Sequence, residues 1–384
     1  MIKLHKQNLA HLLSIAVFFV LTAILPLSTL FLPKRSFSET ENRFLADFPK
    51  LSLDTLVSDK FMTGFDDYLS DHFVGRDAWI KAKTSMELLS GKREVNGVYV
   101  LKDRLVEQVK TPDPTVANES VEAINAFAAA HPAVPVYVMI APTAQEAYRD
   151  ELPDNAPAAN QKAFIDGVYA KLQGAEGVDV YNALISAKSD YIYYRNDHHW
   201  TSLGAYYAYA SLIKRLGGAP VPLSSFDIEH ASNDFKGTLY SKTLYDGIEP
   251  DTIDFYHYTD GVQVTGVTVE TGSEVKEYDS LYFRDYLDQK DKYSAFLGNN
   301  QPVVTIRTDA QNANRLLIVK DSYAHSITPF LTQHYSEITL LDPRYFNVPY
   351  TELVHVEDYS QVLFIYNAST FMTDKNIKKL NLAQ

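Results

Sequence analysis

The sequence predicts a mixed α/β protein whose mainly parallel sheet is covered by helices on both faces, with an antiparallel β insertion and an N-terminal transmembrane helix. Three observations support this prediction. Apolar runs of strand length alternate with stretches of helical periodicity from residue 111 to residue 384. Residues 232–300 include a stretch that alternates apolar and polar side chains with period two. Residues 12–32 contain no charged side chain.

The uncharged segment near the N-terminus predicts a membrane anchor. At about 1.5 Å per residue, Leu12 to Leu32 matches a hydrocarbon layer roughly 30 Å thick. Lysines such as Lys3 precede the segment and Lys34 and Arg35 follow it, so charge alone barely sets the orientation. We predict that residues 1–35 form a short cytoplasmic tail and a retained single-pass anchor, with the rest of the chain exported. A cleaved signal peptide is the alternative.

Residues 36–110 are predicted to form a juxtamembrane linker that leads into helices and a hairpin. The polar stretch "SFSETENRFLADFP" ends in proline and is typical of a linker. Helical spacing then relates five apolar residues, which are Phe61, Phe65, Tyr68, Leu69 and Phe73. The stretch "EVNGVYVLKDRLVEQ" predicts short strands around tight turns.

Residues 111–384 are predicted to form the main α/β domain, with a β-rich insertion at about 232–300. Five stretches predict strands: "VPVYVMIAP", "VDVYNAL", "RLLIVKDS", "SEITLLD" and "QVLFIYN". A helix is expected to begin at Thr201 or Ser202 and to end at Leu216, before two glycines. Strands that alternate with helices in this way favour parallel pairing.

Composition excludes several classes of function. The net charge is −13, and no cluster of lysine and arginine offsets it, so nucleic acid is not an expected partner. The chain contains no cysteine, which excludes disulfides and thiolate metal sites.

Ser322 is the first candidate for chemistry. It follows the predicted strand Leu316–Val319 and a turn, and a helix is expected after it. Parallel sheets carry their active sites at the carboxyl ends of strands, and the N-terminus of the next helix would stabilise an oxyanion there. The G-x-S-x-G pattern is missing, and a serine in this position is more often a helix cap than a nucleophile.

The segment "RNDHHW" offers the partners that a reactive serine needs. A serine hydroxyl requires an imidazole to take its proton and a carboxylate to orient that imidazole. Asp197 and His199 are two residues apart, so in an extended segment they project to the same side. We expect His198 to point elsewhere and to hydrogen bond with the backbone.

These residues, with several other stretches, resemble the bacterial DHHW-motif family, which is similar to the SGNH-like alginate O-acetylation proteins. The resemblance covers nearly all of the chain after the anchor. It is carried by motifs in order, which are "SETENRFLADFP", "DHFVGRD", "RNDHHWTSLGAYYAY", "FKGTLYSKT", "IVKDSYAHSITPFL", "DPRYF" and "LFIYN".

The resemblance implies an SGNH-hydrolase-like three-layer α/β/α fold and a Ser-His-Asp triad. Carried over, Asp197 is the orienting carboxylate, His199 the general base and Ser322 the nucleophile. The Asp-x-His motif precedes the serine, which is the reverse of usual SGNH hydrolases and is shared with the alginate relatives. The implied activity is O-acetylation of a cell-surface or secreted polysaccharide without a cofactor. A membrane-bound O-acyltransferase is the implied partner that delivers acyl groups.

Four further residues are candidates for oxyanion or substrate binding. The backbone N–H of Ser322 or Tyr323 and the side-chain amide of Asn367 are candidates for the oxyanion hole. Arg344 follows a strand end and is a candidate for substrate binding, although a surface ion pair is the simpler interpretation. His325 lies one helical turn after Ser322 and is a candidate pocket residue or alternative base.

Three other functions stay open at this stage. The same triad acting with water would make the protein a carbohydrate esterase. Asp197, His198, His199 and His325 are possible zinc ligands, although adjacent histidines rarely reach one ion in an extended segment. A non-catalytic envelope protein that binds glycans through its 26 tyrosines is the third alternative, and it predicts that the triad residues lie far apart.

Overall fold

The protein is described here by a computed structural model, which covers residues 6–29, 31, 34–272 and 274–383. The chain forms two compact units. The first comprises the described residues up to Val95 together with Ser241–Asp246, and the second comprises Asn96–Tyr240 and the residues from Gly247 onward. All the candidate site residues therefore belong to the second unit.

The first unit is mainly helical. Its elements are α1 (Lys6–Phe19), a π-helical stretch (Val20–Ile24), α2 (Leu25–Thr29), β1 (Phe37–Ser38), β2 (Arg43–Phe44), α3 (Leu53–Val57), α4 (Lys60–His72), α5 (Arg76–Leu89) and β3 (Glu94–Val95). Phe61, Phe65, Tyr68 and Leu69 of the stripe that predicted a helix lie on α4, and Phe73 is the extended residue that follows its end, so the helix prediction is confirmed for four of the five residues. Phe61, Phe65 and Tyr68 pack edge-on against Phe48, with ring centroids 6.3, 5.9 and 5.2 Å away.

One helix near the N-terminus, Leu9–Thr29, is long and apolar enough to cross a membrane, with a mean hydropathy of 2.3. It covers most of the predicted anchor. Lys3 of the predicted tail and Leu32 at the end of the predicted span lie outside the described residues.

The second unit is built on an eight-stranded mixed sheet. The strands of the whole unit, including four outside this sheet, are β4 (Val98–Val100), β5 (Leu105–Glu107), β6 (Val136–Ala141), β7 (Ala175–Gly177), β8 (Asp227–Phe235), β9 (Asp251–His257), β10 (Val264–Glu270), β11 (Val275–Tyr278), β12 (Val303–Thr308), β13 (Arg315–Lys320), β14 (Glu337–Leu341) and β15 (Gln361–Asn367). The order in the sheet is β11-β10-β12-β14-β13-β15-β6-β7. Strands from β14 to β7 are parallel to one another, and β12, β10 and β11 continue the sheet in antiparallel fashion.

Helices cover both faces of this sheet. They are α6 (Pro114–Ala130), α7 (Ala144–Ala147), α8 (Gln161–Tyr169), α9 (Tyr181–Ser186), α10 (Ser202–Arg215), α12 (Ala324–Leu331) and α13 (Ala368–Thr373). Helix α11 (Thr238–Thr243) lies between β8 and β9 along the chain. Leu316 and Ile318 of β13 pack in one apolar core with α10 and α12. Leu317 and Val319 point to the opposite face and pack in a second core with α6 and α13. This confirms the predicted mixed α/β fold with a mostly parallel, doubly covered sheet.

The predicted β-rich segment at 232–300 contributes to two antiparallel strand pairs, the first of which begins before the segment, at Asp227. Strands β8 and β9 pair with each other outside the large sheet. The second hairpin, β10–β11, pairs through β10 with β12 and so extends the edge of the large sheet. Only part of the segment is therefore separate from the central sheet.

The stretch "VDVYNAL" was predicted to be a strand, and this prediction is wrong. Strand β7 ends at Gly177, and helix α9 begins at Tyr181. The Asp179 carboxylate accepts the Tyr181 N–H at 2.8 Å, a local hydrogen bond that turns the chain into the helix.

The hairpin β4–β5 belongs to the second unit, although the sequence grouped it with the lead-in 36–110. The Leu105 N–H donates to the Arg195 carbonyl at 2.7 Å. Tyr99 and Val106 are buried in the same apolar core as α10. These contacts bring the hairpin to the segment that contains the candidate histidines.

Candidate active site

Ser322 lies on the corner between β13 and α12. The preceding residue, Asp321, accepts the Tyr323 N–H at 2.8 Å and the N–H and side-chain amide of Asn367 at 2.8 and 2.7 Å. The Asp321 N–H donates to the Ile365 carbonyl of β15 at 3.0 Å. Asp321 therefore fastens the corner to the carboxyl end of the neighbouring strand, and Ser322 remains partly exposed.

A second buried carboxylate holds the segment that carries Asp197 and His199. Asp251, at the start of β9, accepts the backbone N–H of Arg195 at 2.7 Å and that of Asn196 at 2.8 Å. These donors lie immediately before Asp197, and they satisfy backbone groups that would otherwise be buried without partners.

The side chains of Asp197, His199 and Ser322 meet at the sheet edge. His199 Nδ1 lies 2.5 Å from Asp197 Oδ1, and His199 Nε2 lies 2.7 Å from Ser322 Oγ. The ionised carboxylate only accepts hydrogen bonds, so His199 carries its proton on Nδ1 and presents a lone pair on Nε2 to the serine hydroxyl. This tautomer is the one that can remove the serine proton.

Asp197 is held in a close-fitting cradle. Its Oδ2 accepts the N–H and the hydroxyl of Thr238 at 2.8 and 2.9 Å. A Cβ on Gly237 would lie 2.2 Å from this oxygen, so only glycine fits at that position. Burial alone would raise the pKa of Asp197, but the neighbouring histidines and these hydrogen bonds hold it well below its usual range. The carboxylate is therefore ionised across the working pH range.

Burial also determines the protonation state of His199. It lowers the pKa of the imidazole to about 4, with His198 acting in the same direction and Asp197 opposing both. His199 is therefore neutral at neutral pH, which is the state required of a base.

His198 does not point away from the site, so that prediction is wrong. The chain bends through this segment and is not extended. The ring centroids of His198 and His199 are 3.8 Å apart, and His198 Nδ1 lies 2.7 Å from the Thr238 hydroxyl oxygen. His198 thus belongs to the hydrogen-bonded surroundings of Asp197 and bonds to a side chain instead of the backbone.

The structure separates the oxyanion candidates. The Tyr323 N–H is used by Asp321, and its phenol donates to the His198 carbonyl at 2.7 Å. The Asn367 amide donates to Asp321 and to the Thr370 hydroxyl, at 2.7 and 2.8 Å. Among the described residues, no acceptor binds the Ser322 N–H, so of the three candidate donors this one is available beside the Ser322 hydroxyl.

Arg344 takes part in a buried ion pair. Its guanidinium donates to both oxygens of Asp342, at 2.9 and 2.7 Å, and Asp342 is fully buried. Lys320, also buried, places its Nζ 3.2 Å from the same carboxylate. Arg344 thus forms an ion pair, as the simpler interpretation expects, but its partner Asp342 is buried and does not lie at the surface.

His325 is bound to the same cluster. Its Nε2 lies 2.7 Å from Lys320 Nζ, and the ammonium also donates to Asn300 at 2.7 Å. An ammonium has no lone pair to share, so His325 uses its own lone pair to accept from Lys320. His325 is consequently unavailable as an alternative base for Ser322.

Sequence reasoning missed several residues that contact the triad. Gly237 and Thr238 lie in "FKGTLYSKT", which carried the family resemblance but was given no role. Tyr293 stacks on the His199 ring, and it lies in "DKYSAFLG", where no pattern marked it. Of these residues, only Gly237 offered a signal in the sequence, because a glycine between two polar residues often marks a place where another group approaches the backbone closely.

The zinc interpretation has a geometric basis but competes with the triad. Asp197, His198 and His199 offer ligand atoms that lie within 4.8 Å of one another. Both nitrogens of His199 are already used, by Asp197 and Ser322, and both oxygens of Asp197 accept hydrogen bonds. His325, the fourth proposed ligand, is held by Lys320. A metal would have to displace these bonds, so the arrangement favours general-base chemistry.

Comparison with known proteins places the chain in a family. Residues 92–341 match the family model described as DHHW protein. A DHHW family protein from Eubacterium siraeum shares 27% sequence identity, with a TM-score of 0.63 and coverage of 75% of this chain and 96% of that chain. Bacillus cereus PatB1 with a sulfonyl adduct shares 20% identity, with a TM-score of 0.64 and coverage of 74% and 97%.

The O-acetyltransferase domain of Pseudomonas putida AlgJ is a more remote likeness, at 14% identity and a TM-score of 0.46, covering 75% of this chain and 99% of that domain. No curated protein matches the sequence. Because the family model spans well over half of the chain, the protein belongs to the DHHW family.

Proposed function

We propose that this protein is an exported, membrane-anchored O-acetyltransferase that modifies a cell-surface or secreted polysaccharide. Ser322 is the nucleophile, His199 the general base and Asp197 the orienting carboxylate. The observation that carries the proposal is the continuous chain of hydrogen bonds from Asp197 through His199 to Ser322 Oγ.

The proposed reaction proceeds through an acyl-enzyme. Ser322 Oγ attacks the donor carbonyl carbon while His199 Nε2 takes the hydroxyl proton, and the departing group of the donor then takes that proton. In the second half, a sugar hydroxyl gives its proton to His199 and attacks the acyl-serine. The product ester leaves, and the proton returns from His199 to Ser322 Oγ.

The negative charge of each tetrahedral intermediate needs a donor. The Ser322 N–H is the available backbone group, and the N-terminus of α12 follows directly after it. An oxyanion donor of this kind is commonly worth about 3 to 4 kcal/mol of transition-state stabilisation.

The proposed location and partner follow from the N-terminal helix and the family resemblance. Leu9–Thr29 supports a single-pass anchor with the catalytic unit outside the membrane. An enzyme in that position needs an acyl donor on the outer side, and a membrane-bound O-acyltransferase is the proposed source. We also propose that the fold is SGNH-like, as the motifs in their order imply.

The choice of probe draws on a protein of the same fold. PatB1 has been described with a sulfonyl adduct, and sulfonyl fluorides react with activated serines. The full-length protein in detergent should gain one sulfonyl group on Ser322, located by mass spectrometry of its peptides. Ser322→Ala should remain unlabelled, and the exposed Ser225→Ala variant should label like the wild type. Labelling that persists in Ser322→Ala would refute the nucleophile assignment.

A second assay separates transfer from hydrolysis. The protein is incubated with 4-nitrophenyl acetate, with and without oligosaccharide acceptors, and the products are analysed by mass spectrometry. Acetylated oligosaccharide supports the transferase. Free acetate alone, with Ser322 labelled, would replace the proposal by a carbohydrate esterase that uses the same triad.

A further inference from the structure

Tyr293 contacts both the base and the nucleophile of the candidate triad. Its ring lies parallel to the His199 imidazole, with centroids 3.7 Å apart and an angle of 7° between the planes. Its hydroxyl donates to the carbonyl oxygen of Ser322 at 3.0 Å. No other described aromatic ring stacks face to face on His199.

The hydroxyl of Tyr293 lies in an ordered chain of donors. Trp200 Nε1 can only donate, and it lies 2.8 Å from Ser326 Oγ. The Tyr293 hydroxyl gives its single proton to the Ser322 carbonyl, so at the 3.1 Å contact with Ser326 Oγ the serine donates to the Tyr293 oxygen. The chain links Trp200, the residue after His199, to the backbone of the nucleophile.

Burial keeps this chain intact. Tyr293 and Ser326 are buried, and burial raises the pKa of the Tyr293 phenol, so it remains a hydrogen-bond donor at any working pH. The bond to the Ser322 carbonyl therefore does not depend on solvent conditions.

The ring has a separate effect on charge. When His199 takes a proton it becomes an imidazolium in a buried site, which burial disfavours. An aromatic face within about 6 Å attracts a cation through its quadrupole. The Tyr293 ring covers one face of the imidazole at contact distance, so it stabilises the protonated form that occurs only during the reaction.

We propose that Tyr293 is a positioning residue for the triad, whose ring stabilises the His199 imidazolium while its hydroxyl fixes the Ser322 backbone. This inference rests on the proposed function, since it assigns a role to the reacting form of His199. It adds a residue that the Asp-His-Ser pattern does not contain.

The test compares two variants that remove the two contacts separately. Tyr293→Phe keeps the ring and loses the hydroxyl, and Tyr293→Leu loses both. We expect kcat for 4-nitrophenyl acetate to fall about threefold to tenfold in Tyr293→Phe and about 30-fold or more in Tyr293→Leu. KM should stay near the wild-type value in both, because stabilisation of the imidazolium matters only in the transition state.

A second buried tyrosine serves as the matched control. Tyr335 is 4% exposed and donates to Gln361, without a contact to the triad. Tyr335→Leu should lower the melting temperature and leave kcat within about twofold of the wild type. If Tyr293→Leu does not fold, Tyr293→Met keeps much of the side-chain volume without an aromatic face.

The outcomes separate this inference from the proposed function. If sulfonyl fluoride does not label Ser322 in the wild type, the proposed function fails. If Ser322 is labelled but Tyr293→Leu keeps wild-type kcat, the role of Tyr293 is refuted. It is also refuted if Tyr293→Phe loses as much as Tyr293→Leu, because the ring would then contribute nothing, or if Tyr335→Leu reproduces the same loss of kcat.

Discussion

His199 and His325 are two buried histidines at the same edge of the sheet, and both lie parallel to the Tyr293 ring, with centroids 3.7 and 6.5 Å from it. His199 has a carboxylate on one nitrogen and the Ser322 hydroxyl on the other. His325 has the Lys320 ammonium on its Nε2. Burial lowers the pKa of both imidazoles, to about 4 for His199 and well below the usual range for His325.

The difference teaches that partners, and not burial, decide which histidine can act as a base. An imidazolium formed by protonating His199 on Nε2 would keep its Nδ1–H bonded to the Asp197 carboxylate, whose charge offsets part of the cost of a buried cation. A proton on His325 would lie beside Lys320, whose pKa burial lowers to about 8, so it is still charged at neutral pH. His199 can therefore cycle between states, whereas His325 is fixed as an acceptor in a buried ionic cluster.

The largest expected effect comes from comparing two variants. One removes the carboxylate that orients His199, and the other removes the His325 side chain. Asp197→Asn should lower kcat about 10⁴-fold, because the amide favours the wrong tautomer of His199, as known for serine proteases. His325→Ala should lower kcat less than tenfold and reduce the free energy of unfolding by about 1 to 3 kcal/mol, because Lys320 loses an acceptor. Steady-state kinetics and denaturant titration measure both. Equal losses of kcat in the two variants would contradict the distinction between the histidines.

A smaller effect is expected from displacing Asp197 without changing it. Gly237→Ala would place a Cβ 2.2 Å from Asp197 Oδ2, so the carboxylate must shift and its bond to His199 lengthens. We expect kcat to fall about 100-fold. Gly266→Ala is the matched control, since a Cβ there meets no atom within 4 Å. Wild-type kcat in Gly237→Ala would show that the cradle tolerates a side chain.

The smallest effect concerns the response to pH. Because the pKa of His199 is lowered to about 4, kcat/KM should stay level from neutral pH to about 5 and fall as the pH drops through about 4. In the unfolded chain the same histidine titrates near 6.5. The neutral form is favoured by folding, so this contribution to stability is complete above about pH 6.5 and is lost as the pH falls through about 4. Kinetics and melting temperatures across pH 3.5–8 measure both, and an acid limb centred near 6.5 would mean that His199 is more hydrated than described.

The sequence predicts the sheet and the corner well because their signals are local. The apolar runs "RLLIVKDS" and "QVLFIYN" coincide with β13 and β15, and the cap at Thr201 begins α10 as expected. The strand prediction for "VDVYNAL" failed because a single Asp179 side chain redirects the backbone within an otherwise apolar run. Local periodicity contains no information on such a bond.

The surroundings of the triad were harder to predict because they depend on contacts distant in sequence. Asn367 lies at the expected strand end, yet its amide is used by Asp321 and Thr370. The bend that keeps His198 beside His199 depends on Asp251, more than fifty residues away. The stacking of Tyr293 on His199 could be predicted only by knowing where the segment after β11 returns to the sheet. None of these contacts has a signature in residue spacing.

The anchoring of Asp321 to Ile365 and Asn367 limits which parts of the protein determine the position of Ser322. The Ser322 hydroxyl takes its location from two adjacent strands, β13 and β15, and from the hydrogen bond of Tyr293 to the Ser322 carbonyl. Connections at this end of the sheet other than the one that carries Tyr293 can therefore change in length or sequence without displacing the Ser322 hydroxyl. For the proposed transferase, we expect such changes to alter the acceptor before they alter the acyl-transfer step.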